Sequence, residues 1–226
     1  MHFRLRNIAI ISAVLLLAAS EVIAAQILTN GDFELVDGRI GEVRSQALDN
    51  LSNGRWDVYD TLPGGWYTSN GAGIEVEYSG TVVNAYSGNH YIELDSHPGP
   101  DSNSSMSIDL VLNEGDHFLS FMYFPRTTQL GDNGISVLMD GVEVLTADGF
   151  RDNNTTWQQY EFNFLGMTAG LHTLTFEAFG IENTLGGFID DIKLDGPGNP
   201  VPEPSAALVY GLGMLVLAGT RRGTRG

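Results

Sequence analysis

From Gln26 to Pro200, apolar and polar residues alternate with a period of two in short runs broken by Gly, Asn and Asp clusters. Ile74, Val76 and Tyr78 alternate with Glu75 and Glu77, and Met106, Ile108, Leu110 and Leu112 with Ser107, Asp109 and Val111. Further sets are Tyr91–Asp95, Leu119/Phe121/Tyr123, Ile135/Val137/Met139, Tyr160/Phe162/Phe164, Leu174/Phe176/Ala178 and Ile192/Leu194. Asp140-Gly141 between two such runs is a hairpin signal, because both central residues of a type I′ turn need positive φ. Half-buried strands in this number predict an all-β fold: a two-sheet antiparallel β-sandwich of the jelly-roll kind. Asp37–Thr61 has no clear period, and Ser96–Ser105 is a loop by composition.

Both ends depart from this pattern. Arg4 and Arg6 precede the apolar run Ile8–Ala19, and Ala24 and Ala25 close it, which predicts a signal peptide over residues 1–24 forming a short helix. Cleavage after Ala24 sets Val22 at the −3 position. At the other end Pro202-Glu203-Pro204 precedes the uncharged run Ala206–Thr220 and the basic residues Arg221, Arg222 and Arg225. A helix of about 15 residues spans roughly 22 Å, short of the ~30 Å hydrocarbon core, so it suits a transient stop in the inner membrane. The following arginines would hold that end in the cytoplasm. The organisation is a signal peptide (1–24), a sandwich domain (25–196), a Pro/Gly linker (197–204) and a hydrophobic helix with its basic tail (205–226).

Charge narrows the partners. Between Gln26 and Pro200 six basic residues (Arg39, Arg44, Arg55, Arg126, Arg151 and Lys193) face 26 acids. Such a field disfavours nucleic acid and anionic lipid and attracts cations. Cysteine is absent, so core packing or bound metal must hold an exported domain together. No nucleophile elbow, zinc-protease motif or phosphate loop is present, and the chain reads as a non-enzyme. With so many acids, carboxylate pairs at glycosidase spacing arise by chance. Asp95, His97 and Asp101 have loose metal-like spacing in a Pro/Gly loop.

The Pro-Glu-Pro triplet, apolar run and basic end resemble the PEP-CTERM sorting signal of Gram-negative bacteria. That resemblance implies signal peptidase and exosortase as processing partners and delivery to the cell envelope, surface or extracellular matrix. Several internal phrases, taken in order, are similar to the galactose-binding-like jelly rolls, especially DUF642-type domains and related carbohydrate-binding modules. They are Asn30–Glu34, Pro63–Trp66, Gly73–Val76, Ser87–Asp95, Phe121–Arg126 and Gly186–Ile192. The resemblance implies binding of extracellular polysaccharide or another glycan, with a structural Ca2+ tying the first strand to the last. Glu34 is the family's usual side-chain ligand, and Asp32 would add a carbonyl or carboxylate. Alternation independently sets Asp190 on the inward side with Ile192 and Leu194, unless a bulge turns Asp191 inward instead.

A pyranose has an apolar face and a polar rim, so its binding surface combines flat aromatic rings with planar hydrogen-bonding groups. On this ground the candidate ligand residues are Trp66, Tyr67, Glu75, Asn89, His90, Tyr123 and Arg126. Each also fits a structural role. Trp66 and Trp157 suit core plugs, Tyr123 shares the Leu119/Phe121 face, His90 the Ile92/Leu94 face, and Arg126 has acids to pair with. A structural matrix or adhesion protein working through protein–protein contacts is the alternative reading.

Overall fold

A computed structural model describes residues 24–35, 55–97, 101–127, 129–149 and 156–198. The expected signal-peptide helix, the Pro202, Glu203 and Pro204 motif and the apolar run 206–220 lie outside the described residues. Among the described residues there is no helix long and apolar enough to cross a membrane.

Among the described residues thirteen strands form two antiparallel sheets. One sheet runs β11 (Gln158–Met167), β8 (Gly115–Phe124), β13 (Phe188–Pro197), β6 (His90–Glu93), β5 (Ile74–Tyr78) and β2 (Trp56–Tyr59), and β1 (Ala24–Gln26) pairs with the end of β13. The other runs β10 (Val142–Ala147), β9 (Gly134–Met139), β12 (Gly170–Phe179), β7 (Ser105–Leu112), β4 (Trp66–Asn70) and β3 (Thr61–Leu62). The predicted sandwich is therefore present, and the alternation decides which residues fill it. Ile74, Val76, Ile92, Leu94, Leu119 and Phe121 from the first sheet meet Met106, Ile108, Val137, Leu174 and Phe176 from the second. Asp140 and Gly141 turn β9 into β10 with φ of 53° and 76°, as the dipeptide predicts.

Three segments flagged by the sequence converge on one structural clasp. Asn30 and Phe33 both have φ near 56°, which folds Asn30–Glu34 into a tight turn beside β13. Asn30 Nδ2 donates to Pro63 O at 2.9 Å, and Trp66 Nε1 donates to Asn30 O at 3.2 Å. Ile192 N donates to Gly31 O at 2.8 Å, so any side chain at Gly31 would collide with the Ile192 carbonyl. Phe33 and Trp66 pack ring to ring at 5.9 Å inside the core. The phrases are recognisable together because they are one contact set.

Candidate binding face

The first sheet has a second, outward face that is largely buried too. Tyr91, Phe188, Phe124 and Trp157 make a small aromatic cluster there, with ring centroids 5.0–6.1 Å apart. The segment 79–89 folds across it. Trp157 Nε1 donates to Asn84 O at 2.9 Å, and the Tyr91 hydroxyl accepts from the amides of Val82 and Val83.

Beside the aromatics lies a buried charge cluster. Glu75 and Glu77 on β5 and Glu93 on β6 are at most 1 % exposed, and their carboxylate oxygens lie within 4.8 Å of one another. Period-two geometry explains the grouping: Ile74, Val76 and Ile92 point inward, so the intervening acids point outward onto one patch. Arg126 Nη1 donates to both Glu93 oxygens at 2.6 Å and to Thr184 O at 3.1 Å, while its guanidinium lies over Phe188. Tyr91 Oη donates to Glu77 Oε2 at 2.6 Å, and the amides of Gly186 and His97 donate to Glu93 and Glu75. Burial, with Glu77 and Asp95 adding like charge, raises Glu75 to about 8 despite the His97 amide and Arg126. Burial and then Glu75 push Glu93 well above the usual carboxylate range, against the pull of Arg126.

The expected metal ligands Asp32, Glu34 and Asp190 each accept backbone amides. Asp32, Glu34 and Asp190 do not form a group of three within 4.8 Å; among the described residues only Glu75, Glu77 and Glu93 do. Glu34 Oε1 instead accepts the amides of Asn89 and His90 at 2.7 Å and approaches His90 Nδ1 at 3.1 Å. Gly88 lies directly over it, with no room for a side chain above the Glu34 carboxylate. Burial opposes ionisation of Glu34, yet these hydrogen bonds outweigh it and hold the group below its ordinary range. Asp32 Oδ1 only faces the Glu34 amide at 3.5 Å.

The inward placement of Asp190 is corrected as well. Ile189 and Ile192 both enter the core because a bulge lies between Asp190 and Lys193, with Asp191 at φ 51°. Asp190 is therefore buried on the outer face, where Oδ2 accepts the amides of Tyr86 and Ser87 at 2.8 and 2.9 Å. Burial raises it to about 7 despite the Ser87, Asp191 and Tyr86 amides. Two carboxylates thus hold the 86–90 turn through backbone N–H groups.

The bulge also opens space. At its edge Tyr86, Ser120, Phe121, Met122, Gln159, Asp191 and Lys193 line a concavity of about 200 Å³. Across the Lys193–Asp191 ion pair (2.6 Å) lies a second, of about 360 Å³, which includes Gln26, Asn30 and Asp32. Tyr86 is 51 % exposed, meets Trp157 edge-on at 6.3 Å, and has its backbone pinned by Asp190.

The seven predicted ligand residues do not share one surface. Trp66 is a core plug, 1 % exposed between Phe33 and Phe176. Tyr123 is fully buried, its hydroxyl donating to Asn133 O and Oδ1 at 2.8 and 3.0 Å. Neither ring offers a face to a ligand. Tyr67 lies on the outer face of the opposite sheet and donates to Asp109. Asn89 and His90 belong to the clasp, His90 packing against Tyr78. Glu75 and Arg126 come together in the buried cluster. Tyr86, Gln159 and Lys193 were not among the sequence candidates, and Asp191 entered only as the residue a bulge would turn inward. The signal that could have found them was the Asp-Asp pair inside a strand pattern, which marks a bulge.

No family model matches the chain, and no curated protein matches it. Solved structures similar to it include a family 35 carbohydrate-binding module from Clostridium thermocellum. That match has 18 % identity over 62 % of this chain and 97 % of the module, at a TM-score of 0.40. TmCBM61 in complex with β-1,4-galactotriose is similar at 20 % identity, covering 57 % and 86 %, with a TM-score of 0.41. An exo-β-1,3-galactanase from Phanerochaete chrysosporium is similar at 16 % identity over 62 % of this chain but 32 % of the enzyme, with a TM-score of 0.38. Likeness of this degree assigns no ligand to this chain.

Proposed function

We propose that the sandwich is a non-catalytic carbohydrate-binding domain that seats a saccharide against Tyr86 at the β13 bulge. One observation carries the reading: a half-exposed, rigidly mounted tyrosine stands over a polar hollow lined by Gln159, Asp191 and Lys193. An aromatic face with amide, carboxylate and ammonium groups beside it matches the two-sided character of a pyranose. The second hollow, across the Lys193–Asp191 pair, extends the site for a longer chain. The acids with raised pKa, Glu75, Glu93 and Asp190, are buried and out of a substrate's reach, which favours binding over cleavage.

The terminal sequences support export by signal peptidase, release or surface attachment through exosortase, and residence in the envelope or extracellular matrix of a Gram-negative bacterium, where exopolysaccharide of a biofilm would be the partner. Affinity electrophoresis against neutral and acidic exopolysaccharides tests the binding. Retardation lost in Tyr86→Ala supports it; no retardation by any polysaccharide defeats it. Mass spectrometry of the exported protein tests the processing, with ends expected at Ala25 and near Pro202.

A second reading, a matrix protein acting through protein contacts, rests on one pair. Val111 and Leu171 are cross-strand partners on the outer face of the second sheet, 77 % and 70 % exposed. Concentration-dependent assembly abolished by Leu171→Ser, without sugar dependence, would favour it.

A further inference from the structure

Four acids crowd the outer face of β5 and β6. Besides Glu75, Glu77 and Glu93 there is Asp95, which follows Glu93 by two residues and so shares its side of the chain. Asp95 is 1 % exposed and stands close enough for its charge to act on Glu75. Its Oδ2 accepts the amides of Asn183 and Leu185, but Oδ1 is buried with no hydrogen-bond partner. Nearby His97 Nδ1 is also buried without a hydrogen bond, 3.4 Å from Glu75 Oε2. Glu77 lies within hydrogen-bonding reach of Glu93, acceptor against acceptor, which calls for a proton or a cation between them. Among the described residues Arg126 is the one guanidinium paired with the cluster, and a single positive charge cannot offset four carboxylates.

We infer that Glu75, Glu77 and Glu93, with Asp95 at their edge, form a binding site for a hard divalent cation, calcium in an exported protein. An all-oxygen donor set of carboxylates is the chemistry Ca2+ prefers over zinc or copper. Spacing agrees: ligands about 2.4 Å from an ion are at most about 4.8 Å apart, the limit within which these three acids fall. The ion would join β5 and β6 to the 183–186 segment, which already contacts Glu93 and Asp95 through Gly186, Leu185 and Asn183. This position, on β5 and β6, is distinct from Asp32, Glu34 and Asp190. The inference stands independently of the carbohydrate reading.

The full-length protein, stripped with EDTA, is titrated with CaCl2 while thermal unfolding is followed. Terbium luminescence, excited through Tyr91 and Trp56, reports occupancy. Calcium at 100-fold over its Kd should raise Tm by on the order of 5 °C. Glu75→Gln and Glu77→Gln should weaken calcium and terbium binding at least tenfold, while Glu34→Gln leaves both unchanged. If Glu77→Gln fails to fold by circular dichroism, Asp95→Asn decides: weaker binding supports the site and unchanged binding overturns it. No response to calcium, or a response that Glu34→Gln or Asp190→Asn alone removes, overturns it also.

Discussion

Arg126 reaches Glu93 with a single nitrogen, Nη1, placed 2.6 Å from both carboxylate oxygens, and Glu93 has no exposed surface at all. Removing one partner of such a pair leaves a charge stranded in a poor solvent. Arg126→Ala should therefore lower stability by about 3 kcal/mol in urea unfolding. Adding Glu93→Gln should recover much of that loss, since the stranded charge disappears. Equal stability of the single and double variants would show that the pair is not coupled.

Acidity should stabilise the metal-free domain. Asp190 and Glu75 sit at about 7 and about 8, above their ordinary 3.8 and 4.5, so across that window the folded chain holds more protons than the unfolded one. Stability in EDTA is then greatest near pH 4.5 and falls as pH rises toward 8, by up to about 1.4 kcal/mol per pH unit for each proton held. Glu34, held low, works in the opposite direction and takes over at more acid pH. Asp190→Asn and Glu75→Gln should each flatten the decline; thermal melts across pH 4–8 measure it.

Glu34 fastens the 86–90 turn from below. Glu34→Ala leaves the Asn89 and His90 amides without their acceptor, at a cost of about 1–2 kcal/mol. Hydrogen exchange at those two amides should accelerate well beyond exchange in β7 or β12. Gly88→Ala should do likewise, because its backbone is at φ 59° and a methyl group would strike the Glu34 side chain.

Trp66 and Tyr86 should respond in opposite ways. Trp66→Ala opens a cavity in the core and should cost about 3–5 kcal/mol. Tyr86→Ala should change stability by no more than about 0.5 kcal/mol while abolishing retention on polysaccharide gels. Loss of retention in both, with equal destabilisation, would tie the tyrosine to folding instead.

Alternation carried the sheets, because facing a core makes every second residue apolar; Met106–Leu112 and Leu119–Tyr123 sit where that rule puts them. It said little about β1 to β4, two to five residues each, which carry no sustained run of apolar and polar alternation. The same rule misplaced Asp190, since one extra residue at Asp191 reverses which side of β13 points inward. Trp66 and Tyr123 were legible as structural as well as functional candidates, and neighbours supplied by other strands settled the matter. The Tyr86 hollow was not legible, because Tyr86, Gln159 and Lys193 meet only through packing of segments far apart in sequence.

β1 and the end of β13 lie antiparallel, with Ala24 opposite Pro197. The domain's entry and exit points are therefore neighbours, and a tether attached to either one would suspend the molecule from a single corner. The bulge at Asp191 lies farther along β13, so a domain anchored by its tail would keep the Tyr86 hollow clear of the attachment point.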